Sequence, residues 1–236
     1  MSPANAVTQV SRFVGDAAGL EKTLRLLQSL AQVVAACSLT ATAAAPWLQA
    51  RKQFALGRRY LRVLKFIDAF TFAFDIFSRR SGLLAVLEFG RWSCLGIYLL
   101  LESFTILDEM GVVSTTWAAG LFLEAMKFWF CSLVLGIFSG ILELLGLLGK
   151  NAGLGKRVEE KHQKSRKNKA EMTQGRPTER DATRKKIAKR LFIDGCDLFI
   201  PGSATGWIPT SSANVGMMSV GSTVLSGLDV WNRVNV

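Results

Sequence analysis

The sequence predicts an all-α, membrane-associated chain, with one amphipathic interfacial helix and one or two hydrophobic membrane-embedded helices. Three stretches carry this reading. Residues Arg51 to Lys65, RKQFALGRRYLRVLK, hold six cations and no acid. Phe128 to Leu148 has a single charge, Glu143, in 21 residues, and Leu198 to Leu228 has none in 31. Half of the 236 residues are hydrophobic, 15 Phe and 6 Trp among them, and the formal net charge of +11 implies attraction to anionic surfaces. Four cysteines (Cys37, Cys94, Cys131, Cys196) lie scattered without C-x-x-C spacing, which argues against a disulfide framework or zinc site.

Residues 1–110 are expected to form an N-terminal helical region. Met1 to Gly15 reads as a loose start, without a secretory signal because Arg12, Lys22 and Arg25 interrupt the apolar run. Asp16 can cap a helix reaching about Ser38, with Leu20, Leu24, Leu27 and Ala31 along one side and Glu21–Arg25 as a supporting i,i+4 pair. Ala41 to Ala45 reads as a link to Pro46, suited to the first position of the next helix.

That helix is expected over about Trp47–Arg80. At 100° per residue, Leu56, Tyr60, Val63, Leu64 and Ile67 fall on one face, bordered by Leu61. Arg51, Arg58, Arg62 and Lys65 fall on the other, with Lys52 and Arg59 beside them. A polar face of Lys and Arg alone is the signature of a helix lying on an anionic bilayer. Near such a surface each cation contributes about 1 kcal/mol, less where salt screens it. Burying each large apolar side chain adds roughly 1.5–3 kcal/mol. A basic outer face on a core helix is the structural alternative. The line Phe66, Phe70, Phe74, Phe77 further along reads as packing against lipid or another helix.

Leu83 to Leu107 reads as an interfacial or protein-packed helix, because its longest uncharged run, Trp92 to Leu101, is too short to span. Glu88 and Arg91 can neutralise each other there. Residues 111–149 hold the best spanning candidate, Phe128 to Leu148, about 31 Å long at 1.5 Å per residue. Its Gly136 and Gly140 make a G-x-x-x-G that admits a close second helix. Glu143 is an acid within the apolar run and so a candidate functional position.

Residues 150–190 change character, with 15 Lys or Arg against 5 acids and no aromatic, and read as a disordered or solvated-helical basic linker. GKNAGLGK within it fails as a phosphate loop, since Lys150 and Arg157 stand where Gly and Ser/Thr are needed. His162, the single histidine, sits among cations and suggests no site. Residues 191–236 are expected to be a membrane-embedded helical region. A helix from about Thr210 carries the small-residue stripe Ser212, Gly216, Ser219, Thr223, Gly227 as a packing face.

Gly19-Leu20-Glu21-Lys22 with Arg25 and Gln28, the block Ala50 to Arg58 (ARKQFALGR), and the final Gly216…Gly221-Ser222…Trp231 together resemble the peroxin-11 family of peroxisomal membrane proteins. Ala55 departs from the family pattern, where a cation is expected. The resemblance implies a peroxisomal membrane location, self-association, and elongation and division of the organelle with the dynamin-related fission machinery. It assigns Arg51, Lys52, Arg58, Arg59, Arg62 and Lys65 to lipid headgroups, and Leu56, Tyr60, Leu61, Val63, Leu64 and Ile67 to an inserted wedge. It also likens Arg184, Lys185, Lys186, Lys189 and Arg190 to signals read by the peroxin-19 chaperone.

The mechanism expected is leaflet expansion by a helix about 5–10 Å deep, multiplied by self-association. No paired carboxylates in a cleft, nucleophile–base pair or metal-ligand cluster is evident, so neither enzyme activity nor a cofactor is expected. A pore is the rival reading, lined by Glu88, Arg91, Glu102 and the two aspartates of Ile187–Ile200 (Asp194, Asp197). Nucleic-acid binding is disfavoured because the basic segment lacks aromatics to stack on bases.

Overall fold

Caps and turn chemistry divide the chain into helices. The computed structural model describes residues 3–79, 81–162 and 179–235. Among the described residues every regular element is helical: α1 (Pro3–Gly15), α2 (Ala17–Cys37), α3 (Ala41–Tyr60), α4 (Lys65–Arg79), α5 (Leu83–Phe104), α6 (Ile106–Glu109), α7 (Ala118–His162), α8 (Glu179–Ala204) and α9 (Ser212–Val234). The all-α expectation holds.

Several boundaries differ from the sequence reading. The Asp16 cap is as expected: its carboxylate accepts from the Ala18 and Gly19 amides at 3.0 and 3.1 Å. The segment before it is a helix rather than a loose start, held by Phe13 against Trp231 at 5.6 Å between ring centroids. Thr40, accepting from the Ala43 amide at 3.2 Å, starts α3 ahead of Pro46, so the alanine link is its first turn. The single helix expected over Trp47–Arg80 is two. The chain turns at 61–64, where Ser103 Oγ donates to the Val63 carbonyl at 2.8 Å and Lys65 N bonds Arg62 O at 3.0 Å. Of the basic segment 150–190, residues 151–162 continue α7 and 179–190 open α8, while 163–178 lie outside the described residues.

The helices neighbour one another in the order α3, α2, α9, α8, α7, α5, α4, and the 61–64 turn joins α4 back to α3. The two ends of the chain thus pack together, α2 against α9. An apolar cluster of Ala69, Tyr98, Leu99, Ala125 and Met126 fastens α4, α5 and α7.

Leu83–Phe104 and Ala118–Leu147 are both long and apolar enough to cross a bilayer. Only 28% of each apolar window is buried inside the chain, so most of that surface faces outward, unlike the core helix of a soluble protein. The sequence reading makes the first of these an interfacial or protein-packed helix, too broken by charge to span. Its charges, Glu88, Arg91 and Glu102, face neighbouring helices and leave the outer surface apolar.

Buried charges lie beside the apolar core, while many large apolar side chains face outward. Glu21, Arg25, Arg58, Arg59, Glu88, Glu102, Asp194 and Asp197 are buried, while Leu27, Leu64, Phe74, Phe77, Val86 and Phe138 are exposed. Charges are almost never buried in a water-soluble domain unless paired. A greasy exterior over a polar, paired interior suits a chain whose surroundings are lipid.

Candidate functional site

The two flanks seen in residues 51–67 are present, but the basic one is turned inward. Arg58 and Arg59 are each 8% exposed. Arg58 Nε donates to Glu21 Oε1 at 3.0 Å and Nη1 to Gln28 Oε1 at 2.8 Å. Arg59 Nη1 donates to Glu109 Oε2 at 3.3 Å, its Nε lies 3.6 Å from Glu102 Oε1, and its guanidinium lies 4.6 Å from the Phe122 ring centre. Arg62 Nη2 donates to Glu102 Oε1 at 3.1 Å, an oxygen that also accepts from Tyr98 OH at 3.0 Å. These three guanidiniums therefore meet carboxylates of α2, α5 and α6 where headgroups were expected. Burying a guanidinium is tolerable only with such partners. Of the six assigned cations, Lys52 is exposed and Arg51 and Lys65 are half-buried.

The apolar flank faces out. Leu64 is 65% exposed, Ile67 52% and Tyr60 48%. With the half-buried Leu61 and Val63 they rim one surface hollow, beside Lys65 and Asp68. Leu56, one turn earlier, is half-buried and stands apart from that hollow.

A second polar seam joins α2 to α9. Gln32 Nε2 donates to the Ser212 carbonyl at 2.9 Å, Ser29 and Ser219 share a hydrogen bond at 2.7 Å, and Arg25 donates to Ser222 at 3.0 Å and to Asp197. The stripe expected to pack in the membrane thus lies against this chain's own α2. A Cβ on Gly216 would meet Val33 Cγ2 at 2.7 Å and Ser29 O at 3.3 Å. Thr223 is buried with it, whereas Gly227 has open space beside it. Likewise G-x-x-x-G on α7 is occupied within the chain: Gly136 abuts Arg91 and Gly140 abuts Leu191.

A third cluster ties α5, α7 and α8. Glu88 Oε1 accepts from Ser139 at 2.6 Å and from Arg190 at 3.1 Å, while Arg91 lies 3.4 Å from Asp194. Lys189 pairs with Asp229 at 2.6 Å. Arg184, Lys185 and Lys186 of the basic cluster remain half-buried or exposed. Glu143 is half-buried on α7, and the side chain of His162 lies outside the described residues.

Between the helices lies a cavity of about 490 Å³ lined from α2, α3, α5, α6, α7, α8 and α9. Arg51, Lys52, Arg58, Arg59 and Arg62 line it together with Glu102 and Glu109, beside Tyr98, Phe122, Met126 and Trp129. Tyr98 stacks on Trp129 at 5.1 Å.

The family described as Peroxisomal biogenesis factor 11 (PEX11) matches residues 7–231. The chain belongs to that family. It is accordingly a protein of the peroxisomal membrane. A relative, Peroxisomal membrane protein PMP27 of Saccharomyces cerevisiae, is 26% identical over 237 residues, covering 96% of this chain and 94% of the relative. No solved structure matches the chain. For this PEX11 member, sequence reasoning missed Gln28, Ser29, Gln32 and Ser222 as interior groups. The signal was there: Glu21, Arg25, Ser29 and Gln32 recur at spacings of four, four and three, one polar stripe along α2.

Proposed function

We propose that the protein promotes elongation, proliferation and division of peroxisomes by expanding one leaflet with the outward apolar edge of the α3–α4 turn. The observation carrying this reading is the exposure of Tyr60, Leu64 and Ile67, continued along α4 by Phe74 and Phe77. An apolar ridge beside Lys65 can enter the headgroup boundary while that cation meets phosphates. Arg58, Arg59 and Arg62 fix the ridge by holding the turn to the bundle. Anchoring by α5 and α7 keeps the ridge in the interface, and self-association would multiply the area mismatch into curvature. No step needs covalent chemistry.

The basic start of α8, Arg184 to Lys186, is the surface we assign to the peroxin-19 chaperone, and the fission machinery is the partner implied by the family. The test is a paired substitution, Leu64→Ser with Ile67→Ser, in cells lacking the endogenous protein. Loss of organelle elongation with normal abundance and targeting is expected; normal elongation would sink the ridge mechanism.

A second reading, solute passage, draws on the interior cavity and the Glu88–Arg91–Asp194 cluster. Conductance of purified protein in planar bilayers, altered by Glu88→Gln or Asp194→Asn, would support it.

A further inference from the structure

A connection between two helices that leaves an apolar region for water is ordinarily polar. Residues 104–117, which join α5 to α7 through α6, are not. Phe104, Leu107, Met110, Val112, Val113 and Trp117 are between 42 and 65% exposed. The segment is nonetheless well ordered by its own hydrogen bonds. Gly111, at φ 73°, takes the left-handed conformation that closes a helix, its amide bonding Asp108 O at 2.9 Å and that of Val112 bonding Leu107 O at 3.1 Å. Asp108 accepts from the Thr115 amide at 2.7 Å and from the Thr115 hydroxyl at 3.1 Å. Glu109 accepts from Arg59, and the Thr105 hydroxyl donates to the Glu102 carbonyl at 2.9 Å. These two acids are the segment's only charges, and both are engaged within the chain. The turn thus spends its charged groups on the protein and shows its large apolar side chains to the surroundings.

The neighbouring elements say what those surroundings are. The segment joins the ends of Leu83–Phe104 and Ala118–Leu147, each long and apolar enough to cross a bilayer, so its apolar surface continues theirs. Phe104 and Trp117 stand at the two junctions, and Trp is a residue type that gathers at headgroup level. Residues 104–117 contain no Lys or Arg, so a contact with lipid here has no electrostatic attraction in it. We propose that residues 104–117 form a second, uncharged membrane-inserting surface, seated between headgroups and acyl chains with Leu107, Met110, Val112 and Val113 toward the acyl chains. It is separate from the ridge at Tyr60, Leu64 and Ile67. It rests on α5 and α7 reaching the bilayer, and needs neither anionic lipid nor leaflet expansion by the α3–α4 turn.

The test uses the full chain with its four cysteines replaced by alanine and an environment-sensitive fluorophore on Val112→Cys, in vesicles of phosphatidylcholine alone. Expected are a blue-shifted emission, quenching by a lipid spin-labelled near the glycerol, and loss of quenching by iodide supplied on both sides. Added sodium chloride should change none of these. Phe138→Cys, on the outward face of α7, should report lipid, and Lys185→Cys, on the exposed start of α8, should report water. Iodide quenching at position 112 with lipid quenching at 138 overturns the proposal and leaves α7 in the bilayer. Iodide quenching at both overturns the placement of α7 as well. Protection of position 112 from both quenchers would put a second copy of the chain over the segment and overturn the lipid assignment. A signal that needs anionic lipid, or fades with salt, would do the same. Should the cysteine-free chain fail to fold, Val112→Cys is made beside the native cysteines and treated with a charged maleimide, the modified peptide being identified by its mass. Position 112 spared in bilayer and labelled in detergent supports the surface; labelling in both overturns it.

Discussion

Arg58 of α3 donates to Glu21 of α2 at 3.0 Å, inside the bundle, on the stretch whose sequence points to lipid. Burial opposes the charge on Glu21, but Arg58, with Lys22 and Arg62, outweighs it and holds the carboxyl at about 2 against an ordinary 4.5. Burial and the nearby Arg62 bring Arg58 down to about 10, which leaves it charged at neutral pH. A carboxylate with a depressed pKa adds stability that is complete above about 4.5 and is lost as pH falls toward 2.

Glu21→Gln is therefore expected to destabilise the chain by about 3 kcal/mol at pH 7, since it strands a buried guanidinium. The gap between parent and variant should narrow as pH drops from about 4.5 to 2. Thermal unfolding in detergent across that range checks it. A gap that stayed constant would mean Glu21 is not ionised on Arg58.

The inward turn of the arginines separates two classes of variant. Replacing Arg59 with Glu sets a third acid against Glu102 and Glu109 and should cost about 3–5 kcal/mol, read as a lowered Tm and increased proteolysis. Leu64→Ser and Ile67→Ser remove exposed side chains and should change stability by less than about 0.5 kcal/mol while reducing vesicle tubulation. Were the Arg59 variant as stable as the parent, the arginine would not be serving the interior.

Two glycines on α9 are expected to respond in opposite directions. At Gly216 a methyl group meets Val33 Cγ2 at 2.7 Å and the Ser29 carbonyl at 3.3 Å, so Gly216→Ala should cost about 1–3 kcal/mol by forcing α9 from α2. At Gly227 there is open space, and Gly227→Ala should add up to about 1 kcal/mol through helix propensity. The two midpoints, measured side by side, test the antiparallel seam.

Local rules served where local chemistry decides. The Asp16 cap, a helix from near Thr210 and the apolar run of α7 were legible because capping geometry and unbroken hydrophobicity are properties of adjacent residues. The 61–64 turn was not, since it depends on Ser103, 40 residues away. Nor was the direction of the arginines. Periodicity separates two flanks of a helix but does not say which meets lipid, and a basic flank points outward or inward according to carboxylates elsewhere. Glu21–Arg25 read as a pair supporting its own helix, whereas each meets a partner on another element. In a lipid setting a polar stripe marks the inside, and Arg25 spends its charge on Asp197, 172 residues along the chain.

The outward greasiness of α7 yields a last expectation. Cys131 is exposed from the protein side, on the helix whose apolar stretch runs Ala118–Leu147, whereas Cys37 is exposed at the end of α2. If α7 crosses the bilayer, lipid covers Cys131, because a thiol at that depth has neither water nor ions to become the reactive thiolate. A charged maleimide added to membranes opened on both sides should then label Cys37 and spare Cys131, in single-cysteine variants that keep only one of the two. Dissolving the bilayer in a mild detergent with a small, uncharged maleimide should restore labelling at Cys131. Rapid labelling of Cys131 by the charged reagent in intact bilayer would mean that this face of α7 meets water, and that the helix does not span.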